Sequence, residues 1–401
     1  MFHDDLEQVG LLLFVAAVVA IATQRLRLPY SVGLVAAGIG LAVAPLQLDL
    51  TLSRDLIFTI FLPPIVFEAA LNLHWVDLRR NAALLAVLAS AGVIVAAVVV
   101  GAGMHFAAGW SWTEAALFGA LIAATDPVSV IATFKSVKID PRLHLLMESE
   151  SLLNDGTAAV AFTVVLALVA GGQADPGAVG WMVVKMVVGG IGCGIAVAVG
   201  LLLVAGRTQD VLVELTLTTL IAYGAFLLAE RSGMSGVLAA LTAGLIVGNS
   251  RSIGAISKSS RESLINYWAY VAFLANSLIF LLIGAQIARQ PFDDVVRPAA
   301  IAIVVVLVGR AVAIYGIAGL FRWSRQRVDR RHQHILVWGG LRGALALGLV
   351  FGLPLDLPGR GQLVTVAFAV VAFSIVVQGL TMTPLLRWLG LIGTPAPAGQ
   401  K

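Results

Sequence analysis

The chain of 401 residues reads as an all-α polytopic membrane protein with 13 transmembrane helices, arranged as two inverted six-helix repeats. Three observations predict this. Hydrophobic residues make up 59% of the chain and charged residues 12%, against about 25% charged in a soluble domain. Apolar runs long enough to cross a bilayer follow one another along nearly the whole length. Basic residues gather in the short connections, mostly on one side. The 41 glycines suit helices that pack closely without a hydrophobic drive between them. A net charge of +4 spread over such loops is no sign of a nucleic-acid partner, and nothing calls for a cofactor.

A spanning helix needs about 20 mostly apolar residues. On that basis the spans fall at 8–23, 29–46, 53–73, 80–107, 114–135, 142–170, 177–205, 209–230, 234–249, 262–288, 297–321, 333–352 and 361–388. The first follows Asp4, Asp5 and Glu7, whereas a cleaved signal opens with basic residues, so a retained helix is expected. Span 234–249 is short, and spans 80–107 and 142–170 are long enough to tilt or bend. Residues 1–401 are expected to form a single domain, with a tail after Trp388. Cys193, the single cysteine, sits in an apolar Gly-rich run and is expected to be a buried, inert thiol.

The loops orient the chain. With the N-terminus outside and the C-terminus cytoplasmic, 18 of the 26 Lys and Arg residues fall in the cytoplasm. These include Arg27, Lys135, Lys138, Arg207, Arg251, Lys258 and Lys401. Arg54, Arg231, Arg289, Arg297 and Arg360 fall outside, and Lys185, Arg310 and Arg342 fall within spans. Losing or adding one central span would scramble this bias.

Thirteen spans divide into two sets of six about a linker span. The fifth span of each set is interrupted. Span 5 carries Thr125-Asp126-Pro127, and proline removes a backbone donor and clashes with the preceding turn. Span 12 carries Gly339-Gly340 and Gly343 around Arg342. Paired breaks in corresponding positions point to an inverted repeat whose broken helices cross near the midplane and form a binding site. Spans 3 and 10 correspond likewise, with Pro63-Pro64 and Glu68 in one and Asn276-Ser277 in the other.

The chemistry centres on Glu150-Ser151-Leu152-Leu153-Asn154-Asp155-Gly156-Thr157 in span 6. A carboxylate at this depth costs about 2.5–3.5 kcal/mol on insertion scales, so such residues are rare without a function. At helical spacing Ser151 and Asp155 share one face and Glu150 and Asn154 a neighbouring one. These are hard oxygen ligands, suited to Na⁺, Li⁺, H⁺ or Mg²⁺. The histidines, His3, His74, His105, His144, His332 and His334, lie at or near helix ends and form no HExxH motif. Buried acids are Glu68, Asp126, Glu150 and Asp155, with Glu148 and Glu214 as further candidates; the bases are Arg310, Arg342 and Lys185. Three bases cannot neutralise them all, so pairing leaves at least one acid over. An acid without a permanent cation can hold a proton or a metal cation but not both, the minimum chemistry of a cation/proton exchanger. No motif surrounds Lys185 or Glu214, which are expected to be structural. No ring of like residues marks a channel filter, and no nucleophile–base pair marks a hydrolase.

The run from Glu148 to Gly156 resembles the signature of cation:proton antiporters of the CPA1 (NhaP/NHE) type. Ala124-Thr125-Asp126-Pro127-Val128, Phe61-Leu62-Pro63-Pro64-Ile65 with Glu68, and Gly339-Gly340-Leu341-Arg342-Gly343-Ala344 are similar to three more of its signatures. Ser149 departs from the family, which commonly has Gly there. The resemblance implies a secondary active Na⁺(Li⁺)/H⁺ antiporter working by alternating access, not an enzyme, with K⁺/H⁺ exchange as the alternative. Asp155 would carry the ion and the proton, with Ser151, the Thr125 backbone and Glu68 as further ligands. Asn154, in the ion-binding set, would mark electroneutral exchange. Glu150 would pair with Arg310, while Asp126 and Arg342 would stabilise the broken-helix crossing. The resemblance also implies a homodimer in a prokaryotic inner (cell) membrane. Residues 1–79 and 208–289 would be scaffold and dimerisation helices, 80–170 and 297–388 the ion-translocating core, and 177–205 the linker.

Overall fold

The computed structural model describes residues 2–26, 28–44, 52–137, 139–171, 175–206, 210–249 and 258–392. Five basic residues of the sidedness argument, Arg27, Lys138, Arg207, Arg251 and Lys401, lie outside the described residues, as do the side chains of Lys135, Lys258, Asp4 and Asp5. Among the described residues the chain is helical and contains no strand.

The helices are α1 (Phe2–Leu26), α2 (Tyr30–Val43), α3 (Leu56–Asn72), α4 (Ala82–Ala108), the half-helices α5a (Trp112–Ile122) and α5b (Val128–Ser136), α6 (Pro141–Val169), α7 (Pro176–Ala205), α8 (Val211–Arg231), α9 (Gly236–Gly248), α10 (Lys258–Ala288), α11 (Val296–Leu320), the half-helices α12a (Arg330–Trp338) and α12b (Ala344–Phe351), and α13 (Arg360–Trp388). Among the described residues eight helices, α1, α4, α6, α7, α8, α10, α11 and α13, contain stretches long and apolar enough to cross a membrane. Trp75–Arg80, which sequence reasoning placed in a connection, forms a further short helix between α3 and α4.

Local chemistry explains the helix starts. Asp140, Asp175, Asp210, Ser235 and Asp329 each accept a hydrogen bond from a first-turn N–H of α6, α7, α8, α9 and α12a. Such caps satisfy donors that the helix cannot. Pro141 and Pro176 follow two of them, where a missing N–H costs nothing. α5a opens with a capping box between Ser111 and Glu114.

Two prolines shape α3. Pro63 and Pro64 have no N–H to give to the preceding turn, and that turn, Leu56–Phe61, is wound as a π-helix. The carbonyl that loses its donor to Pro64 is that of Ile60. It accepts instead from the Tyr223 hydroxyl of α8 at 3.1 Å. A defect within one helix thus becomes a tether between two.

The helices pack in two sets. α10 lies along α2 and against α3, while α9 packs on α3, α7 and α8. In the other set α4 packs on α5a and α11, α6 on α5a, and α11 on α12a and α13. α6 meets the first set at α7 and α9, and α5b meets it at α2. The α2–α10 crossing is close enough that glycine is required. An added Cβ on Gly284 would run into the Val35 carbonyl, and one on Gly38 into the Leu281 carbonyl.

Gly284→Val is therefore expected to lower the thermal unfolding temperature in detergent, by an amount corresponding to about 1–3 kcal/mol of overpacking or more. Gly40→Ala, on α2 where an added Cβ meets nothing within 4 Å, is expected to leave it unchanged or slightly raised. Equal losses in the two variants would refute the close crossing.

Candidate functional site

The two interrupted helices meet at their breaks. The Asp126 N–H donates to the Leu341 carbonyl at 2.8 Å, joining one break to the other. The Asp126 carboxylate accepts from Val128 N–H at 3.0 Å and from Ala344 N–H. Val128 opens α5b and Ala344 opens α12b, so one carboxylate caps two half-helix N-termini. Gly343 has no room for a side chain, because its Cβ would fall on the Asp126 carboxylate.

The C-terminal ends receive arginines. Arg342 Nη1 donates to the Ala123 and Ala124 carbonyls, both at 2.8 Å, just past the end of α5a. Arg310 of α11 donates from Nε and Nη2 to the Leu336 carbonyl, at 3.2 and 3.0 Å, in the last turn of α12a. A helix carries roughly half a positive charge at its N-terminus and half a negative one at its C-terminus, so each fixed side chain opposes the charge it faces. Ser374, in a π-helical turn of α13, holds the Arg342 backbone from both sides. Its Oγ accepts from Arg342 N–H at 3.0 Å and donates to Arg342 O at 3.1 Å.

α6 runs past this crossing and presents the two faces that its spacing predicts. On one, Glu150 forms a two-pronged pair with Arg310, Nη1 to Oε1 at 2.6 Å and Nη2 to Oε2 at 2.7 Å. The pair is buried. Asn154 sits beside it, its Nδ2 donating to Glu150 Oε1 at 3.3 Å and Thr125 Oγ1 at 3.4 Å. On the other face, Ser151 and Asp155 line a cavity of about 220 Å³.

That cavity also takes in Thr125 and Asp126 from the α5 break, Glu68 from α3 and Gly343 from the α12 break. Ser151 Oγ donates to the Thr125 carbonyl at 2.5 Å, and Thr125 Oγ1 donates to Ser151 Oγ at 3.2 Å. Asp155 Oδ1 is buried and accepts no hydrogen bond among the described residues. Its charged neighbours are Asp126, Glu150 and Arg342. Two of these are committed elsewhere, Asp126 to the helix ends and Glu150 to Arg310. Glu68 Oε1 accepts from Asn72 Nδ2 at 2.7 Å, one turn along α3.

Asp155, Ser151, Thr125, Glu68 and Asp126 thus come together around one space, whereas Asn154 does not line it; its amide nitrogen bridges Glu150 and Thr125, and its buried Oδ1 accepts no hydrogen bond among the described residues. Arg310 and Arg342 stand behind the cavity wall. Two polar lining residues had been noted in the sequence without being given a site role, Glu148 and Asn276. Asn276 is a polar amide in an otherwise apolar stretch of α10, which was its signal. Glu148 lies 3.7 Å from His144 one turn back on α6, and a sequence spacing of four was all that announced the contact. Lys185 is exposed on α7, far along the chain from any of these groups, and Glu214 is buried in α8.

The chain has relatives in sequence and in fold. The family model described as sodium/hydrogen exchanger, transmembrane, matches residues 10–388. The chain is 38% identical over 401 residues to the Na⁺/H⁺ antiporter ApNhaP of Aphanothece halophytica, covering 98% of this chain and 76% of that protein. It is 34% identical over 344 residues to the Na⁺/H⁺ antiporter NhaP of Pseudomonas aeruginosa, covering 83% and 81%. In fold it resembles the sodium proton antiporter MjNhaP1 of Methanocaldococcus jannaschii at pH 8. The TM-score is 0.75 at 19% identity, over 97% of this chain and 99% of that one.

Removing one partner of a buried ion pair leaves the other uncompensated, at about 3–5 kcal/mol. Glu150→Gln is expected to lower thermal stability in detergent by that order, and Arg310→Ala likewise. Asp155→Asn removes no ion pair and is expected to keep wild-type stability. Wild-type melting of Glu150→Gln would refute a stabilising role for the Glu150–Arg310 pair.

Proposed function

Because this chain belongs to the sodium/hydrogen exchanger family, we infer that it exchanges Na⁺ or Li⁺ for H⁺ across a cell membrane by alternating access. The observation that carries this reading is Asp155. It is the carboxylate at the cavity with a buried oxygen that nothing satisfies, while Asp126 and Glu150 are held by helix ends and by Arg310. A cation entering the cavity would find oxygen donors from Asp155, Ser151, the Thr125 backbone and Glu68, and would displace the proton that otherwise neutralises Asp155. Competition of the two for one carboxylate couples their movements.

Asn154 supports electroneutral exchange. An acid in its place would add a second titratable charge to the translocated group, whereas an amide leaves one cation against one proton. Asp126, Arg342 and the Glu150–Arg310 pair act as fixed charges that travel with the site and carry no cargo.

The two packed sets support the mechanical part. In this reading α1–α3 and α8–α10 are the scaffold and dimer face, α4–α6 and α11–α13 the moving core, and α7 the linker. The site lies where they meet, since Glu68 and Asn276 come from one set and Asp155 from the other. The chain crosses the inner membrane 13 times, N-terminus outside, and works as a homodimer. The basic bias of its loops and the paired breaks support that topology.

In everted membrane vesicles Asp155→Asn is expected to abolish the dissipation of a proton gradient on adding NaCl, at wild-type expression. Normal exchange in that variant would refute the mechanism. NaCl, LiCl and KCl applied side by side identify the cation, and a response to KCl alone would replace Na⁺/H⁺ with K⁺/H⁺ exchange. In proteoliposomes a potential imposed with K⁺ and valinomycin is expected to leave the initial rate unchanged, and a voltage-dependent rate would overturn electroneutrality.

A further inference from the structure

A second charged cavity, of about 610 Å³, lies at the other end of the helix bundle. Its walls come from the N-terminal end of α3, the C-terminal half of α6, the first turns of α7, the α8–α9 turn and α12b. Two cations face it. Arg54 packs its guanidinium 5.4 Å from the centre of the Phe58 ring. Lys185 projects from an otherwise apolar stretch of α7, and its Nζ lies 3.3 Å from where a Cβ on Gly233 would stand. The acid here, Glu230, accepts from Gly236 N–H at 3.0 Å at the start of α9. It has Arg54 as its electrostatic neighbour. Lys185 has no ion pair among the described residues.

Depth identifies what would meet Lys185. α7 has 30 residues, which at ~1.5 Å each is ~45 Å, against a hydrocarbon layer of about 30 Å. Centred in that layer, the helix emerges by ~7.5 Å at each end, so Trp181 lies at the boundary and Lys185 ~6 Å inside it. Tryptophan is the residue that settles at such a boundary, and a lysine just beneath it reaches up toward the headgroups. Trp181 and Lys185 are both exposed, so the cavity is open toward lipid on their side. Phe162, Met182 and Leu166 make the rest of that wall apolar. A ligand that fits has an anionic head and an apolar body.

We propose that this cavity binds an anionic phospholipid, its phosphate between Lys185 and Arg54 and an acyl chain against Phe162 and Met182. Binding follows from the fold alone. Its consequence rests on the transport reading: α6 and α12b line the cavity and carry the ion site, so a lipid seated there would link core motion to membrane composition.

The test is thermal unfolding of the full-length protein in detergent, with phosphatidylglycerol or neutral phosphatidylcholine added. Phosphatidylglycerol is expected to raise the midpoint above the phosphatidylcholine control by about 3 °C in the wild type. Lys185→Arg is expected to retain that rise and Lys185→Gln to lose most of it. Millimolar inorganic phosphate alone is expected to have no effect. The proposal is overturned if the wild type shows no lipid-specific rise, if Lys185→Gln keeps it, or if free phosphate reproduces it through Lys185. None of these readouts depends on exchange activity, so the transport reading can fail without deciding this one.

Discussion

The constraint on which the site depends is the crossing of four helix ends inside an apolar bundle. A helix that stops leaves N–H and C=O groups unsatisfied, and in a bilayer each costs several kcal/mol. Breaking two helices at one place multiplies that cost. Here the cost is met with three side chains. Asp126 serves both half-helix N-termini, and Arg342 and Arg310 serve the two C-termini. Once the ends are neutralised by residues of the crossing itself, Asp155 is left over.

α6 does two kinds of work because its faces differ by about 100° per residue. Glu150 and Asn154 look toward α11 and the α12a terminus, where Arg310 binds carboxylate and carbonyl together. Ser151 and Asp155 look into the cavity. A buried ion pair adds little net stability over an apolar substitute, yet is costly to break from one side. Glu150–Arg310 is therefore best understood as fixing where α6 lies relative to α11 and α12a. The same helix places Ser151 on the Thr125 carbonyl.

Much of this was legible in the sequence, and for local reasons. Pro127 and the glycines around Arg342 act within a few residues of themselves, so interruptions there could be expected from the sequence, whereas the Asp and Ser caps, equally local, were passed over in favour of the apolar runs. The division of α6 into faces followed from helical geometry. What stayed hidden depends on partners far apart in the chain. Ser374 and Tyr223 are single polar residues in apolar runs. Nothing near Ser374 says that it holds Arg342, and nothing near Tyr223 says that it takes the carbonyl freed by Pro64. Asn154 shows the same limit from the other side. Its place in the signature suggested a ligand, but whether its amide faces the cavity or Glu150 is decided by where Arg310 stands.

Ser149 is where local and tertiary terms disagree. In a helix interior serine is better than the glycine usual here by a few tenths of a kcal/mol. The residue is fully buried, however, and its hydroxyl has no partner among the described residues, which costs about 1–3 kcal/mol. The second term is larger, so Ser149 weakens α6 beside its most important charges. The next residue, Glu150, is fixed in place by its two-pronged pair with Arg310. The polar segment of α6 is thus held by an ion pair at one residue and carries an unsatisfied hydroxyl at its neighbour, and Asp155 lies within two turns of both.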